Sequence, residues 1–373
     1  MKVLFVSRDI THHLVPFFKC LLNHYGNDNC IFAVTEHFEM RDKMGFPQYD
    51  GKWIFRVSKH SQEEYRSLWD KSDIIITRLW NEYSLVKTSL EKGKIVFYAS
   101  ERWFKPPVGI KRLFLPSYLK ILFDFKRLSK HSNFFYLAMG YYAGCDFSRV
   151  GLCKGKTFNF GYFTPEYEFT HPIEPSNMKK LIWVGNMLDW KRTIDILVAY
   201  KDLSERYNIS LKIIGEGDER KTLEEYVKKN NLSNVSFENF LPNENVKKEL
   251  ENADIYIMPS NGYEGWGAVV NEAMQTKCAV VSSKEIGSAR SMIIDGENGL
   301  LYHSGNINEL KQSISKLLND NELLNSIQEA GYRTITQVWS AQEAARRFDI
   351  VVNCILEQKS IIHFKDGPLK LIF

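Results

Sequence analysis

Glu264 and Glu272 are two carboxylates with seven residues between them, inside the stretch ADIYIMPSNGYEGWGAVVNEAMQ that spans 253–275. Carboxylates placed at a strand-to-helix turn accept hydrogen bonds from hydroxyl groups. The stretch reads as a short buried strand over 255–258, ending at Pro259-Ser260, then a glycine-containing loop and a helix opening near Ala268. Glu264 falls in the loop and Glu272 about one turn inside the helix. Helical side chains lean toward the N-terminus, so both carboxylates face the space above the helix start. That start offers N–H groups and the positive dipole end, which suit a phosphate. Gly265 and Gly267 let a ligand approach the backbone. A nucleoside diphosphate attached to a sugar fits this combination. The plainer alternative is a generic α/β domain with one carboxylate at a helix start and one on the surface.

The elements that must position these groups alternate. Apolar runs at 3–6, 31–34, 54–57, 74–77, 95–98, 134–138 and 158–160 read as strands, with a helix over 14–22. The second half repeats the pattern from 181 to 302, followed by helices over 307–319, 321–330 and 342–358. Strands separated by helices imply parallel, doubly wound sheets. The three prolines and weak periodicity of PEYEFTHPIEPSNMKK, 165–180, mark a linker. Ligands of such sheets bind beyond the strand carboxyl ends.

At 373 residues, two domains are the natural expectation. No apolar run reaches membrane-spanning length. The opening MKVLFVSRDITHH is too soon charged for a secretory signal. Six cysteines without a C-x-x-C pair read as reduced thiols of a cytosolic protein, and no His/Cys cluster has zinc spacing. Residues 1–170 hold 25 Lys and Arg against 17 Asp and Glu, a net of +8, whereas 171–373 carry 24 against 28, a net of −4. The basic half suits an anionic surface.

In VGNMLDWKR, Lys191 follows a strand end at Gly185 and reaches a diphosphate as a point charge, or is a solvated residue at a helix start. Gly215-Glu216-Gly217 after the run at 211–214 is by itself an ordinary strand-to-helix turn.

Taken in order, LIWVGNMLDWKR, LKIIGEGDERKTLEEYV, VSFENFLPNENVKKELENADIYIMPS, the E-x7-E stretch and CAVVSSKEIGSARSMIIDGENGLLY resemble the donor domain of glycosyltransferase family 4, the retaining GT-B enzymes. The resemblance spans roughly 179–301. It implies an α/β GT-B fold, with two facing Rossmann-like doubly wound domains and a cleft between them. The first domain, over 1–168, would bind the acceptor. The second, over 169–345, would bind the nucleotide-sugar donor, with a segment from about 346 to 373 crossing back to the first. Glu264 resembles the sugar-contacting glutamate and Glu272 the ribose-contacting one. The amides of Trp266, Gly267 and Ala268 would face the β-phosphate and sugar. Gly215, Gly217, Phe240 and Leu241 would flank the base. The family has Arg just after the glycine matched by Gly185, and Lys five residues later. This chain keeps Lys191 but has Asn186, so the diphosphate would be held with one cation fewer, or Arg192 substitutes. No D-x-D motif is present, which implies metal independence and no cofactor beyond the nucleotide-sugar substrate.

The first half departs from the family: SRDITHHL lacks a glycine pair, and YASERWF, with Glu101 and Arg102, occupies the place of a histidine. Glu101 would contact the acceptor hydroxyl or donor sugar, or form a structural ion pair with Arg102 or a neighbour. His12 and His13 are acceptor-side candidates or a surface pair at a helix start. Residues 103–130 hold seven Lys/Arg, among them Lys111, Arg112, Lys120, Lys126 and Arg127, against Asp124 alone, interleaved with aromatics. This suits a bilayer interface, or else a core helix with a solvated basic face. No RNA-binding signature supports nucleic acid. SERWFK, YLAMGYYAGCDF and FNFGYF are similar to bacterial cell-surface polysaccharide glycosyltransferases. The expectation is a cytoplasmic transferase, peripheral at the inner membrane face, acting from a UDP- or GDP-sugar onto a glycan or lipid-linked acceptor. A sugar-nucleotide 2-epimerase of related fold and a non-catalytic nucleotide-sugar-binding protein are the alternatives.

Overall fold

A computed structural model of the chain describes residues 1–36, 47–168 and 177–373, which form two compact units. The first takes described residues up to 165 together with 339–373, and the second those from 166 to 338. Residues 169–176 of the expected linker lie outside the described residues.

In the first unit, β1 (Val3–Ser7), β2 (Cys30–Val34), β3 (Ile54–Arg56), β4 (Ile74–Thr77), β5 (Ile95–Ser100), β6 (Phe134–Met139) and β7 (Thr157–Phe160) pair in parallel, in the order β3-β2-β1-β4-β5-β6-β7. Every residue of β1, β4 and β6 is buried. A sheet covered on both faces needs continuous apolar runs rather than alternation, which is why these strands stand out in the sequence. Local signals set the helix ends. Pro16 sits in the first turn of helix Val15–Tyr25, and Gly26 at φ +90° ends it, three residues beyond the apolar pattern at 14–22. Ser61 and Glu64 form a capping box for Gln62–Lys71.

The last helix, Ala341–Leu356, is capped by Ser340 and belongs to the first unit. Phe348 is fully buried there, 5.8 Å from the Phe17 ring and 4.9 Å from the Phe97 ring. Tyr25 donates to Asp349 at 2.9 Å. Beyond this helix the chain runs antiparallel to β7. Leu369 N–H donates to Asn159 O at 2.7 Å, Asn159 N–H to Lys370 O at 2.8 Å, and Ile372 N–H to Thr157 O at 2.8 Å. The tail thereby satisfies the outer edge of β7.

The second unit carries β8 (Lys179–Val184), β9 (Ile209–Ile214), β10 (Val235–Glu238), β11 (Ile255–Met258), β12 (Ala279–Ser283) and β13 (Leu300–Tyr302), all parallel, in the order β10-β9-β8-β11-β12-β13. Trp183, Ile213, Ile257 and Val281 from the sheet meet Ile196, Tyr200, Leu310 and Ile314 from helices Thr193–Ser204 and Ile307–Asn319 in one core. Edge strand β10 alternates exposure, as a strand half in solvent does.

Phe348→Ala should cost about 3–5 kcal/mol, the scale of emptying an aromatic site in a packed core. The urea midpoint of the first unit would fall accordingly. An unchanged midpoint would show that the last helix contributes nothing to that core.

Candidate functional site

Strands β9, β8, β11 and β12 are consecutive neighbours, so the loops leaving their carboxyl ends lie side by side in the second unit. The β8 and β9 loops interlock. Met187 N–H donates to Glu216 O at 2.7 Å, and Glu219 N–H to Met187 O at 3.0 Å. A Cβ on Gly215 would lie 1.9 Å from Gly185 O, and one on Gly217 2.4 Å from Met187 O. Both glycines also have positive φ, +137° and +151°. The Gly-x-Gly pattern is therefore required by backbone packing against Gly185 and Met187.

The β8 loop is also tied to the motif loop. Asn261 N–H donates to Trp190 O at 3.0 Å, and the Trp190 and Tyr263 rings stand 5.3 Å apart. Lys191, in the turn Asp189–Lys191, ion-pairs with Glu264, and its ammonium lies 4.5 Å from the Trp190 ring. Each partner's side chain is about 15% exposed. Arg192, at φ +54°, grips the buried Asp195 with two hydrogen bonds of 2.7 and 3.1 Å. Its guanidinium is thus engaged within its own turn.

Helix Val269–Gln275 starts after Ala268, as expected, and Glu272 lies one turn inside it. The Glu272 carboxylate is buried and accepts from Asn243 Nδ2 at 2.8 Å. Asn243 opens helix Asn243–Glu251, just after Phe240 and Leu241. Tyr256, buried on β11, feels both carboxylates. Burial first, then the charges of Glu264 and Glu272, push its hydroxyl well above its ordinary pKa. Gly267 has φ +83°, and a Cβ there would meet Ile286 Cγ2 at 2.7 Å. Gly265 and Trp266 are buried, and the Trp266 indole donates to Asn271 at 2.9 Å. Buried serines hold the loop: Ser283 Oγ donates to Ser260 O at 2.5 Å and Ser288 Oγ to Gly267 O at 3.2 Å. Neither these serines nor Asn243 stood out in the sequence. Only the position of Asn243 after a proline at a helix start hinted at a role.

Glu101, past β5, accepts from Tyr162 Oη at 3.0 Å and from Lys105 at 3.2 Å, and Arg78, past β4, donates to Tyr162 Oη at 3.0 Å. Burial raises the Tyr162 hydroxyl pKa, so it stays protonated and donates. The partner of Arg102 is the buried Asp146, at 3.9 Å, rather than Glu101. Burial pushes the Asp146 carboxyl up, opposed by the Phe104 amide and by Arg102. His12 is buried with its ring 3.7 Å from that of His13, which corrects the picture of a surface pair.

In the basic stretch, Lys111 and Arg112 lie on the turn Gly109–Phe114, and Lys120, Lys126 and Arg127 on helix Pro116–Leu128. Arg112 is engaged with Trp103 O at 3.2 Å and Tyr118 Oη at 3.1 Å. Phe104, Leu122 and Phe125 are core residues, whereas Phe114 is 85% and Phe123 58% exposed, with Val108, Ile110, Leu115 and Leu119 also exposed. Among the described residues no helix is long and apolar enough to cross a membrane, and none of the six cysteines forms a disulfide.

Two Rossmann-like parallel-sheet units, the second bearing this loop cluster, define the class: the fold is GT-B. The UDP complex of Anabaena HepE superposes with a TM-score of 0.70 over 95% of this chain and 100% of that one, at 16% identity. The apo form of the lipopolysaccharide outer core galactosyltransferase WaaB gives 0.64 over 96% and 99%, also at 16% identity. Residues 167–334, most of the second unit, match the family model of the group 1 glycosyl transferases. An uncharacterized glycosyltransferase of Methanocaldococcus jannaschii is 33% identical over 151 residues, 40% of this chain and 41% of the relative. The capsular polysaccharide biosynthesis glycosyltransferase CapM of Staphylococcus aureus is 23% identical over 184 residues, 47% and 46% of the two. The chain thus spans about two fifths of the length of the first curated relatives it matches.

Proposed function

We propose that this protein is a retaining, metal-independent glycosyltransferase of family 4. It moves a sugar from a UDP- or GDP-sugar to a glycan or lipid-linked acceptor in cell-surface polysaccharide synthesis. The observation that carries the reading is the pairing of Lys191 with Glu264 at the mouth of β8 and β11, with Glu272 buried one turn into the adjoining helix. The family match over the second unit and the capsular role in CapM's name support it.

On this reading Lys191 binds the diphosphate as a point charge. Asn186 stands where the family has Arg, and Arg192 is engaged with Asp195, so the diphosphate is held with one cation fewer. Glu264 contacts the sugar and Glu272 the ribose, with the base beside Gly215, Gly217, Phe240 and Leu241. The bond from C1 to the β-phosphate oxygen breaks as the acceptor oxygen bonds C1 on the same face, and the acceptor proton passes to the leaving phosphate oxygen. The amides of Trp266, Gly267 and Ala268 stabilise the charge that develops there. Glu101, held by Tyr162 and Lys105, orients the acceptor.

The exposed face of residues 108–127 docks on the anionic inner surface of the cell membrane. Apolar side chains such as Phe114 and Phe123 enter the interface while Lys111, Lys120, Lys126 and Arg127 meet headgroups. Each such cation contributes about 1 kcal/mol, within a Debye length of about 8 Å at physiological salt.

Glu264→Gln should lower kcat while nucleoside diphosphate affinity holds, because a sugar contact strengthened in the transition state appears in turnover. Turnover in EDTA should match that with Mg²⁺. A raised Kd with unchanged kcat, or loss of turnover on chelation, would overturn this assignment.

Changing Lys111, Lys120, Lys126 and Arg127 to Gln should release the protein from anionic vesicles and spare nucleotide binding. Arg112 is left in place because it holds Trp103. Equal co-sedimentation with neutral and anionic vesicles would return this face to an ordinary solvated surface.

A further inference from the structure

We propose that Asn243 and Lys247 position the Glu272 carboxylate, and through it set the protein's preference for a ribonucleotide over a 2′-deoxyribonucleotide. The inference rests on the reading of Glu272 as the ribose-contacting group. Asn243 and Lys247 are four residues apart on helix Asn243–Glu251 and therefore share a face. Asn243 Nδ2 lies 2.8 Å from Glu272 Oε1, which fixes that oxygen.

Lys247 is unusual for its type. It is only 6% exposed, next to the exposed Lys248, and its ammonium lies 5.4 Å from the Tyr167 ring. The Tyr167 hydroxyl bonds to Glu251, one turn further along the same helix, so the aromatic ring is held against this face. A buried cation is costly unless a counter-charge faces it. The negative neighbours of Lys247 are Glu272 and Glu244, and they oppose the lowering of its pKa by burial. Glu244 is exposed and screened by solvent, whereas Glu272 is 4% exposed. Glu272 is therefore the counter-charge that counts.

The two neighbours act on Glu272 differently. A buried carboxylate without a cation tends to take up a proton, and a protonated carboxyl has lost acceptor capacity. Lys247 sets a positive charge near it, which favours the anion, and Asn243 keeps it oriented. Both conditions are needed for it to accept from the ribose 2′ and 3′ hydroxyls. A nucleotide lacking the 2′ hydroxyl forfeits part of that interaction, and the loss is larger the more fully Glu272 is charged and fixed.

The test compares UDP and GDP, each against its 2′-deoxy counterpart, by calorimetry on the full chain. The wild type should bind the ribonucleotide roughly ten- to hundredfold more tightly, the scale of a hydrogen bond to a charged group. Lys247→Met and Asn243→Ser should bring that ratio toward parity by weakening the ribonucleotide more than the deoxynucleotide, which keeps its 3′ hydroxyl, and Lys247→Arg should retain the ratio. If Lys247→Met does not fold, Asn243→Ser and Lys247→Arg decide. A ratio equal to that of the wild type in Lys247→Met and Asn243→Ser overturns the proposal, as does equal weakening of both nucleotides, which is what a packing role would produce. If the wild type shows no preference, or Glu272→Gln keeps the full ratio, the ribose role of Glu272 fails and this inference fails with it.

Discussion

The ion pair between Lys191 and Glu264 ties together the loops that leave β8 and β11. Neither charge is well solvated, so each needs the other, and losing one would strand its partner in a poorly hydrated place. Around that pair the backbone is pinned by Asn261 bonding to Trp190, and the β8 loop is pinned in turn by the glycines of the β9 loop. The motif loop then enters helix Val269–Gln275 through Gly267, where a side chain would strike Ile286. On the proposed reading, a diphosphate entering this site would find a lysine already aimed, with Glu264 as its partner until then.

Parallel sheets explain why the polar groups gather where they do. The central strands of both sheets are buried on both faces, so functional side chains gather beyond the strand ends. In the first unit this brings Arg78, Glu101 and Tyr162 together from past three strands, and in the second it brings Lys191, Glu264 and Glu272 together. Arg102 shows the contrary case: it leaves the same loop as Glu101 but serves the buried Asp146.

How much could be read from the residues alone follows from how local each feature is. The strands were legible because their apolar runs are continuous, and the motif was legible because strand, loop and helix adjoin in sequence. The opening of its helix at Ala268 agreed with the expectation. Features built by distant residues were not legible. Asn243 reaches Glu272 across 29 residues, and Tyr162 reaches Glu101 across 61. Lys247 and Lys248 look alike in sequence, yet only one is buried. The antiparallel run of the tail along β7 has no periodic signature, because it is short and pairs with a strand far away in the sequence. In 103–130 composition alone did not separate Phe125, a core residue, from Phe123, an exposed one two positions earlier. Helix phase makes that distinction.

The central claim is that the 253–275 segment binds a nucleoside diphosphate through Glu272. Titration calorimetry of UDP and GDP on the wild type and on Glu272→Ala tests it most directly. The account predicts that one of the two binds the wild type and that the substitution weakens it by roughly 1–3 kcal/mol, the range for hydrogen bonds to a charged group, with the fold intact by thermal melt. Equal affinity in the two proteins, or no heat from either nucleotide with the wild type, would contradict it.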